Sequence, residues 1–272
     1  MRPAAVADPA PGGGFKVGIP ARYASSRLPG KPLRRIAGKP MIAHVLERAL
    51  ESGGDEIFVA TDDERIVEAV EAYGAPCHLT AAHHPSGTDR LAEVARLRPW
   101  AEDEILVNLQ GDEPCMAPEL IRQVAADLAA HPEHDMATLA TAITTREELF
   151  DPNVVKVVTA ADGSALYFSR APVPWDRDGF AGGRGRPDPA LHRRHIGLYA
   201  YRVGFLRRYA GLAAAPHERC EMLEQLRVLW HGARIHVGTV AAAPVPGVDT
   251  EKDLQRAEAC LRRRRSGQGS PA

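Results

Sequence analysis

Apolar and polar positions alternate in short blocks along this chain. Phe15 to Ile19 is an apolar run, β-branched at Val17 and Ile19, and reads as a buried first strand. Met41, Ile42, Val45, Leu46, Ala49 and Leu50 recur at helical spacing behind Gly38-Lys39-Pro40, and Gly53-Gly54 ends that helix. Glu56 to Ala60 predicts a second strand, after which Thr61-Asp62-Asp63 can cap a helix carrying Ile66, Val67, Val70 and Tyr73 and stopped at Gly74. Pro76 to Leu79 reads as a short third strand, followed by a polar loop reaching Ser86 to Arg90 and then a helical stripe of Leu91, Val94 and Leu97. Ile105 to Leu109 is a strongly apolar strand. Pro118 suits the first turn of a helix with a stripe of Leu120, Ile121, Val124 and Leu128, and Met136 to Ala142 is a further strand.

From there the rhythm changes. Val154 to Thr159 and Ala165 to Ser169 predict two strands joined by the hairpin turn Ala160-Ala161-Asp162-Gly163. Trp175 to Pro189 has no stripe and reads as a mobile loop, and His195 to Tyr201 as a strand. Met222, Leu223, Leu226, Leu229 and Trp230 predict one face of a helix, with Glu221, Glu224 and Gln225 off it. Arg234 to Val240 closes the strands, and a last helix runs from Glu251 to about Leu261. The fold class expected is α/β: a mostly parallel, doubly wound, Rossmann-like sheet with a smaller mixed or antiparallel lobe at about 150–215. One domain spans 15–261, with residues 1–14 and 262–272 expected to be disordered.

Composition narrows the partners. Of 272 residues, 44% are hydrophobic and 25% charged, an ordinary globular balance, and the formal net charge of −1 gives no global attraction to nucleic acid or anionic membrane. No run approaches the roughly 20 apolar residues of a spanning helix, and no signal peptide opens the chain, so a cytoplasmic protein is expected. Cys77, Cys115, Cys220 and Cys260 are too far apart for a zinc cage or a disulfide framework, and read as reduced thiols.

Three features carry candidate chemistry. Directly after the first strand, Arg22, Arg27 and Lys31 sit among Pro20, Pro29, Gly30 and Pro32, so cations are presented by a backbone unsuited to helix at the carboxyl end of a strand. That is where an open α/β sheet binds polyphosphates. Asp112, in Gln110-Gly111-Asp112-Glu113-Pro114, and Asp249, in Val248-Asp249-Thr250 just before the last helix, each read as ending an apolar strand and beginning a loop. Each aspartate alone is ordinarily a turn or cap residue. Brought into one crevice they would make a hard oxygen site suited to Mg²⁺, and with the cations they would serve phosphoryl or nucleotidyl transfer. The P-loop, the G-x-G-x-x-G fingerprint, G-x-S-x-G and H-E-x-x-H are all absent. His83, His84 and His192 receive no role.

The first loop, Gln110 to Pro114, Tyr167 to Arg170, Glu221 to Arg227 and Gly247 to Thr250 together resemble the 3-deoxy-manno-octulosonate (Kdo) cytidylyltransferase family, over about Phe15 to Leu261. The resemblance implies a nucleotide-diphospho-sugar transferase-like fold and a cytosolic homodimer of lipopolysaccharide synthesis. It also implies transfer of CMP from CTP to Kdo with Mg²⁺, using no nucleic acid or membrane partner. It implies further that Arg22 and Lys31 hold the CTP phosphates, with Pro20, Ala21 and Ser25 against the nucleotide, and that Ser86, Gly87 and Arg90 read the base. Asp112 and Asp249 match metal ligands and, with Arg22 and Lys31, the catalytic set. Arg170, His195, Tyr199, Glu224 and Gln225 match the sugar-acid pocket, with Gln110 at its border, where an arginine fork suits a carboxylate. A cytidylyltransferase for a nonulosonate or 8-amino-Kdo, and a silent nucleotide-binding relative, are the other readings. Departures from the family are the N-terminal extension, the insertion around Gly182 to Arg186 and the basic tail.

Overall fold

A computed structural model gives the structure of residues 14–25, 28–181 and 185–265. Arg27, residues 1–13 and 266–272, and Gly182 of the insertion lie outside the described residues. The chain runs β1 (Phe15–Ala21), a one-turn 3₁₀ helix (Lys31–Leu33), the two-residue strands β2 (Arg35–Ile36) and β3 (Lys39–Pro40), α1 (Met41–Glu51), β4 (Glu56–Thr61), α2 (Glu64–Glu71) and β5 (Cys77–Leu79). It continues through α3 (Gly87–Leu97), β6 (Ile105–Asn108), α4 (Pro118–Ala130), β7 (Met136–Ala142), α5 (Arg146–Phe150), β8 (Lys156–Thr159) and β9 (Ala165–Ser169). β10 (Arg193–Arg202), α6 (Val203–Tyr209), α7 (Pro216–Glu221), α8 (Gln225–Trp230), β11 (Ile235–Thr239) and α9 (Glu251–Arg265) complete it.

The main sheet has the order β11-β7-β10-β6-β1-β4-β5. Every neighbouring pair is parallel except those made by β10, which runs antiparallel to both β6 and β7. The expected hairpin is present, since β8 and β9 pair antiparallel, and β8 joins the same sheet through Arg193 and Arg194 of β10. The smaller lobe is therefore continuous with the main sheet.

Alternation along β1 explains why helices cover both faces. Val17 and Ile19 enter a buried cluster with Ile42 and Val45 of α1, Ile66 of α2 and Ile121 and Val124 of α4. On the opposite face Phe58, Leu91, Leu106, Phe168 and Leu206 form a second cluster under α3, α6 and α8. Gly18 has no side chain toward that second face, where a Cβ would stand 2.7 Å from Leu91 and 2.9 Å from Phe58, so α3 lies directly on the strand.

Several expected boundaries move. β1 extends through Pro20 and Ala21, which pair with Ala60 and Thr61 of β4. α3 begins at Gly87, because the Ser86 hydroxyl accepts from the Asp89 amide (3.1 Å) and donates to the Asp89 carboxylate (2.7 Å), so Ser86 is a helix cap where a loop was expected. Leu97, placed on the apolar stripe, is exposed. α9 runs to Arg265, beyond the expected end and into the expected tail. The described residues of 175–189 have no regular structure, and Phe180 is buried with Ile143 and Leu149, its ring packing on Phe150 and Trp175, where a mobile loop was expected.

Candidate active site

Two adjoining cavities open at the carboxyl ends of β1 and β6. The first, of about 290 Å³, is lined by Pro20, Ala21, Arg22, Ser25 and Lys31 from the first loop, Ser86, Gly87 and Arg90 from the start of α3, and Gln110, Asp112 and Asp249. Glycines let these loops converge on Pro20. The Gly111 amide donates to the Pro20 carbonyl at 3.3 Å, and a Cβ on Gly111 would stand 2.8 Å from that oxygen, while one on Gly87 would stand 2.9 Å from the Pro20 ring.

Lys31 is set by the backbone before it. Gly30 adopts φ 65°, a left-handed conformation that suits glycine, and Lys31 then starts the 3₁₀ turn with Pro32 at a position that needs no amide donor. The loop expected to exclude helix thus holds one short turn. The Lys31 ammonium donates to Asp112 Oδ2 at 2.7 Å and to Asp249 Oδ1 at 3.1 Å. The two aspartates, 137 residues apart, therefore face one cation. Their backbones are tied as well, since the Val248 amide donates to the Asp112 carbonyl at 2.8 Å. Asp249 is not the cap of α9: Thr250 and Asp253 cap it reciprocally, with the Thr250 amide and hydroxyl each 2.8 Å from Asp253 Oδ2 and the Asp253 amide 3.3 Å from the Thr250 hydroxyl. Burial, with the charges of Asp112 and Asp249 beside it, pushes the Glu113 carboxyl up to about 8. Glu113 Oε2 is buried without a hydrogen-bond partner among the described residues. Arg90 lines the cleft as a buried brace, its guanidinium donating to Asp62 at 3.0 Å and to the Thr80 hydroxyl.

The second cavity, of about 370 Å³, is lined by His195, Tyr199, Glu224 and Gln225; Gly87, Gln110 and Glu224 line both, so the two adjoin there. Gln110 is oriented by Asn108, to whose side-chain oxygen it donates at 2.9 Å. A β-bulge between Ile196 and Tyr199 is held by the Thr138 hydroxyl, which donates toward the Ile196 and Leu198 carbonyls at 3.0 and 2.9 Å. With that proton committed, His195 Nε2–H donates to Thr138 Oγ1 at 2.9 Å. Burial holds the His195 ring down to about 3, so it is neutral at physiological pH. Burial also raises the Tyr199 phenol, whose hydroxyl donates to Gln225 at 3.3 Å, and raises Glu224, which accepts from the Thr88 hydroxyl at 3.2 Å.

The Arg170 side chain donates to the Glu221 carbonyl (2.7 Å) and the Pro152 carbonyl (2.9 Å). Arg194, paired with Glu148 at 3.2 Å, contributes to the lining of the cavity. One expectation about this region is corrected: 222–230 is not one helix. Met222 adopts φ 53°, the helix breaks into α7 and α8, and Met222 and Trp230 are exposed while Gln225 is buried. Sequence reasoning also missed Asn153, Thr88, Tyr201 and Tyr209 in the second cavity and His84 in the first. Tyr201 carried a usable signal, since it shares a strand face with Tyr199; Tyr209 lies on a helix the pattern did not predict.

Comparison with known proteins gives this geometry its family. A family model described as cytidylyltransferase matches residues 17–235. The 3-deoxy-manno-octulosonate cytidylyltransferase of Methylococcus capsulatus is 58% identical over 244 residues, covering 89% of this chain and 95% of the relative. That of Hahella chejuensis is 59% identical over 248 residues, covering 91% and 97%. The chain belongs to the 3-deoxy-manno-octulosonate cytidylyltransferase family. A solved structure of CMP:2-keto-3-deoxy-manno-octonic acid synthetase complexed with CTP superposes with a TM-score of 0.83 at 43% identity, covering 93% of this chain and all of that one.

As in any cytidylyltransferase site, the donors must suit a nucleotide with its counter-ion. Asp112 and Asp249 offer carboxylate oxygens that converge on the Lys31 ammonium, a hard donor pair that fits Mg²⁺. No cluster of three or more His, Cys, Asp or Glu among the described residues forms an all-protein cage. Mg²⁺ ordinarily takes one or two carboxylates together with substrate phosphates and water, so two ligands suffice.

Proposed function

We propose that this chain transfers the CMP moiety of CTP to Kdo, giving CMP-Kdo and pyrophosphate. The observation that carries the reading is the junction of the two cavities. A cleft built on Lys31, Asp112 and Asp249 meets a pocket of neutral His195, Tyr199, Glu224 and Gln225 across Gln110 and Glu224.

Arg22 and Lys31 hold the triphosphate and offset the charge that develops on pyrophosphate as it leaves. Asp112 and Asp249 would hold Mg²⁺, which when bound supplies Lewis-acid neutralisation of the phosphate oxygens. The second pocket presents hydroxyl, amide, imidazole and carboxyl groups together with the Arg194 guanidinium, suited to a polyhydroxylated acid, and directs its anomeric oxygen at the α-phosphorus. In the displacement the bond from the α-phosphorus to that oxygen forms as the bond to the α–β bridging oxygen breaks, pyrophosphate leaving with the electron pair and the anomeric hydroxyl's proton passing to water. Ser86, Gly87 and Arg90, at the start of α3, are the cytosine-facing residues of this reading.

The family's other traits follow as part of the proposal. Homodimerisation through the 150–215 region is supported by β9, which pairs only with β8 among the described residues, and by exposed Leu166 on it. A cytoplasmic setting is supported by the free state of Cys77, Cys115, Cys220 and Cys260; no helix of the described residues is long and apolar enough to cross a membrane. Incubation with CTP, Kdo and Mg²⁺, followed by mass spectrometry, should show a CMP–Kdo phosphodiester together with stoichiometric pyrophosphate. Hydrolysis of CTP to free CMP without a sugar adduct would contradict the proposal.

A further inference from the structure

Tyr209, at the end of α6, is the buried polar group that the reaction described above leaves without a task. The residue is only 1% exposed, lies in the core beneath the second cavity and contributes to that cavity's wall. The Arg227 guanidinium covers its ring at 4.8 Å from the centroid, and Phe205 packs against it at 6.3 Å, so the ring is fixed. The other polar groups of this wall are engaged. Tyr199 donates to Gln225, Glu224 accepts from Thr88, His195 bonds Thr138, and Arg194 donates to Glu148. The Tyr209 hydroxyl alone among these is buried with no hydrogen-bond partner among the described residues. A buried unpaired hydroxyl is costly, and phenylalanine would fill the same space without that cost. The position is thus explained when a ligand supplies the missing partner.

We propose that the Tyr209 hydroxyl binds a hydroxyl group of the acceptor sugar acid and so helps to select it. The inference rests on the reading of the second cavity as the acceptor pocket. Catalysis is not its role: the residue lines the second cavity and not the phosphate cleft, so its contribution belongs to acceptor binding.

Tyr209→Phe tests this. Steady-state pyrophosphate release should show the KM for Kdo raised about three- to tenfold, the loss of one neutral hydrogen bond, with kcat and the KM for CTP within about twofold of wild type. The melting temperature of the free enzyme should be unchanged or higher, because no protein hydrogen bond is deleted. Among Kdo analogues each lacking one hydroxyl, one should be used equally well by the wild type and the variant. An unchanged KM for Kdo would overturn the proposal and assign the hydroxyl to a trapped water. A lowered melting temperature with both KM values altered would overturn it in favour of a structural role. Absence of Kdo-dependent turnover in the wild type would instead overturn the acceptor reading on which the proposal stands.

Discussion

The two cavities meet at Glu224 but are built in different ways. The phosphate cleft consists of strand ends: the loop after β1, the turn after β6 and the approach to α9, tied by backbone hydrogen bonds from Gly111 to Pro20 and from Val248 to Asp112. The acceptor pocket is assembled by side chains from β10, α6, α8 and the break between α7 and α8, and its polar groups are fixed by one another. A site placed by sheet topology puts its charges at positions the chain's rhythm dictates. A site placed by tertiary packing depends on which side chains are forced inward.

That contrast orders the effects of substitution. Asp112→Asn removes a charge facing Lys31 at the reacting phosphates, and turnover should fall by about two to four orders of magnitude while circular dichroism and melting stay near wild type. Near-normal pyrophosphate release would remove Asp112 from the cleft's chemistry. In the acceptor pocket, Arg194→Ala should raise the KM for Kdo by about tenfold or more, the range of a charge-assisted hydrogen bond. Arg170→Ala should raise it by a comparable amount, because its guanidinium donates to the neutral Glu221 and Pro152 carbonyls whereas that of Arg194 is already paired with the Glu148 carboxylate at 3.2 Å. An unchanged KM for Kdo in both variants would remove both arginines from acceptor binding.

The acceptor pocket should also confer the smaller, acid-dependent effect. Burial holds His195 down to about 3 in the folded protein, whereas an unfolded histidine titrates near 6.5. Between those values the unfolded chain binds more protons. The contribution of His195 is therefore fully present above about pH 6.5 and is lost as pH falls toward 3. Lowering the pH from 7.5 to 5 should reduce the melting temperature by roughly 5 °C, and His195→Asn should flatten that slope. A variant with the wild-type slope would place the acid sensitivity elsewhere, at His236 for instance, which burial holds down to about 4.

The sequence was legible where backbone geometry carries the information. Apolar runs gave the strands, Asp63 caps α2 as expected, and Asp112 stands just past β6 as the strand-end argument requires; Asp249, expected to end a strand, instead lies well past the end of β11 at Thr239 and reaches Lys31 from the approach to α9. It was opaque where packing overrides pattern. The spacing of Met222, Leu226 and Trp230 is helical, yet Glu218 turns inward to accept from Arg227 at 2.9 Å, and Met222 takes a left-handed conformation that exposes it. Arg170 and Arg194 are alike in sequence terms, and only the fold shows their partners: the Glu221 and Pro152 carbonyls for Arg170, the Glu148 carboxylate at 3.2 Å for Arg194. α5 and α6 are too short to show a clear period, so Tyr209 had no signal.

The central claim is that the phosphate cleft and the acceptor pocket work on one reaction, joining a cytidine nucleotide to a Kdo-type acid. Pyrophosphate release measured with each of the four ribonucleoside triphosphates, with and without Kdo, tests it most directly. Release should require CTP and Kdo together and stay near background in every other combination. Release that proceeds at the same rate without Kdo, or as fast with UTP as with CTP, would contradict it.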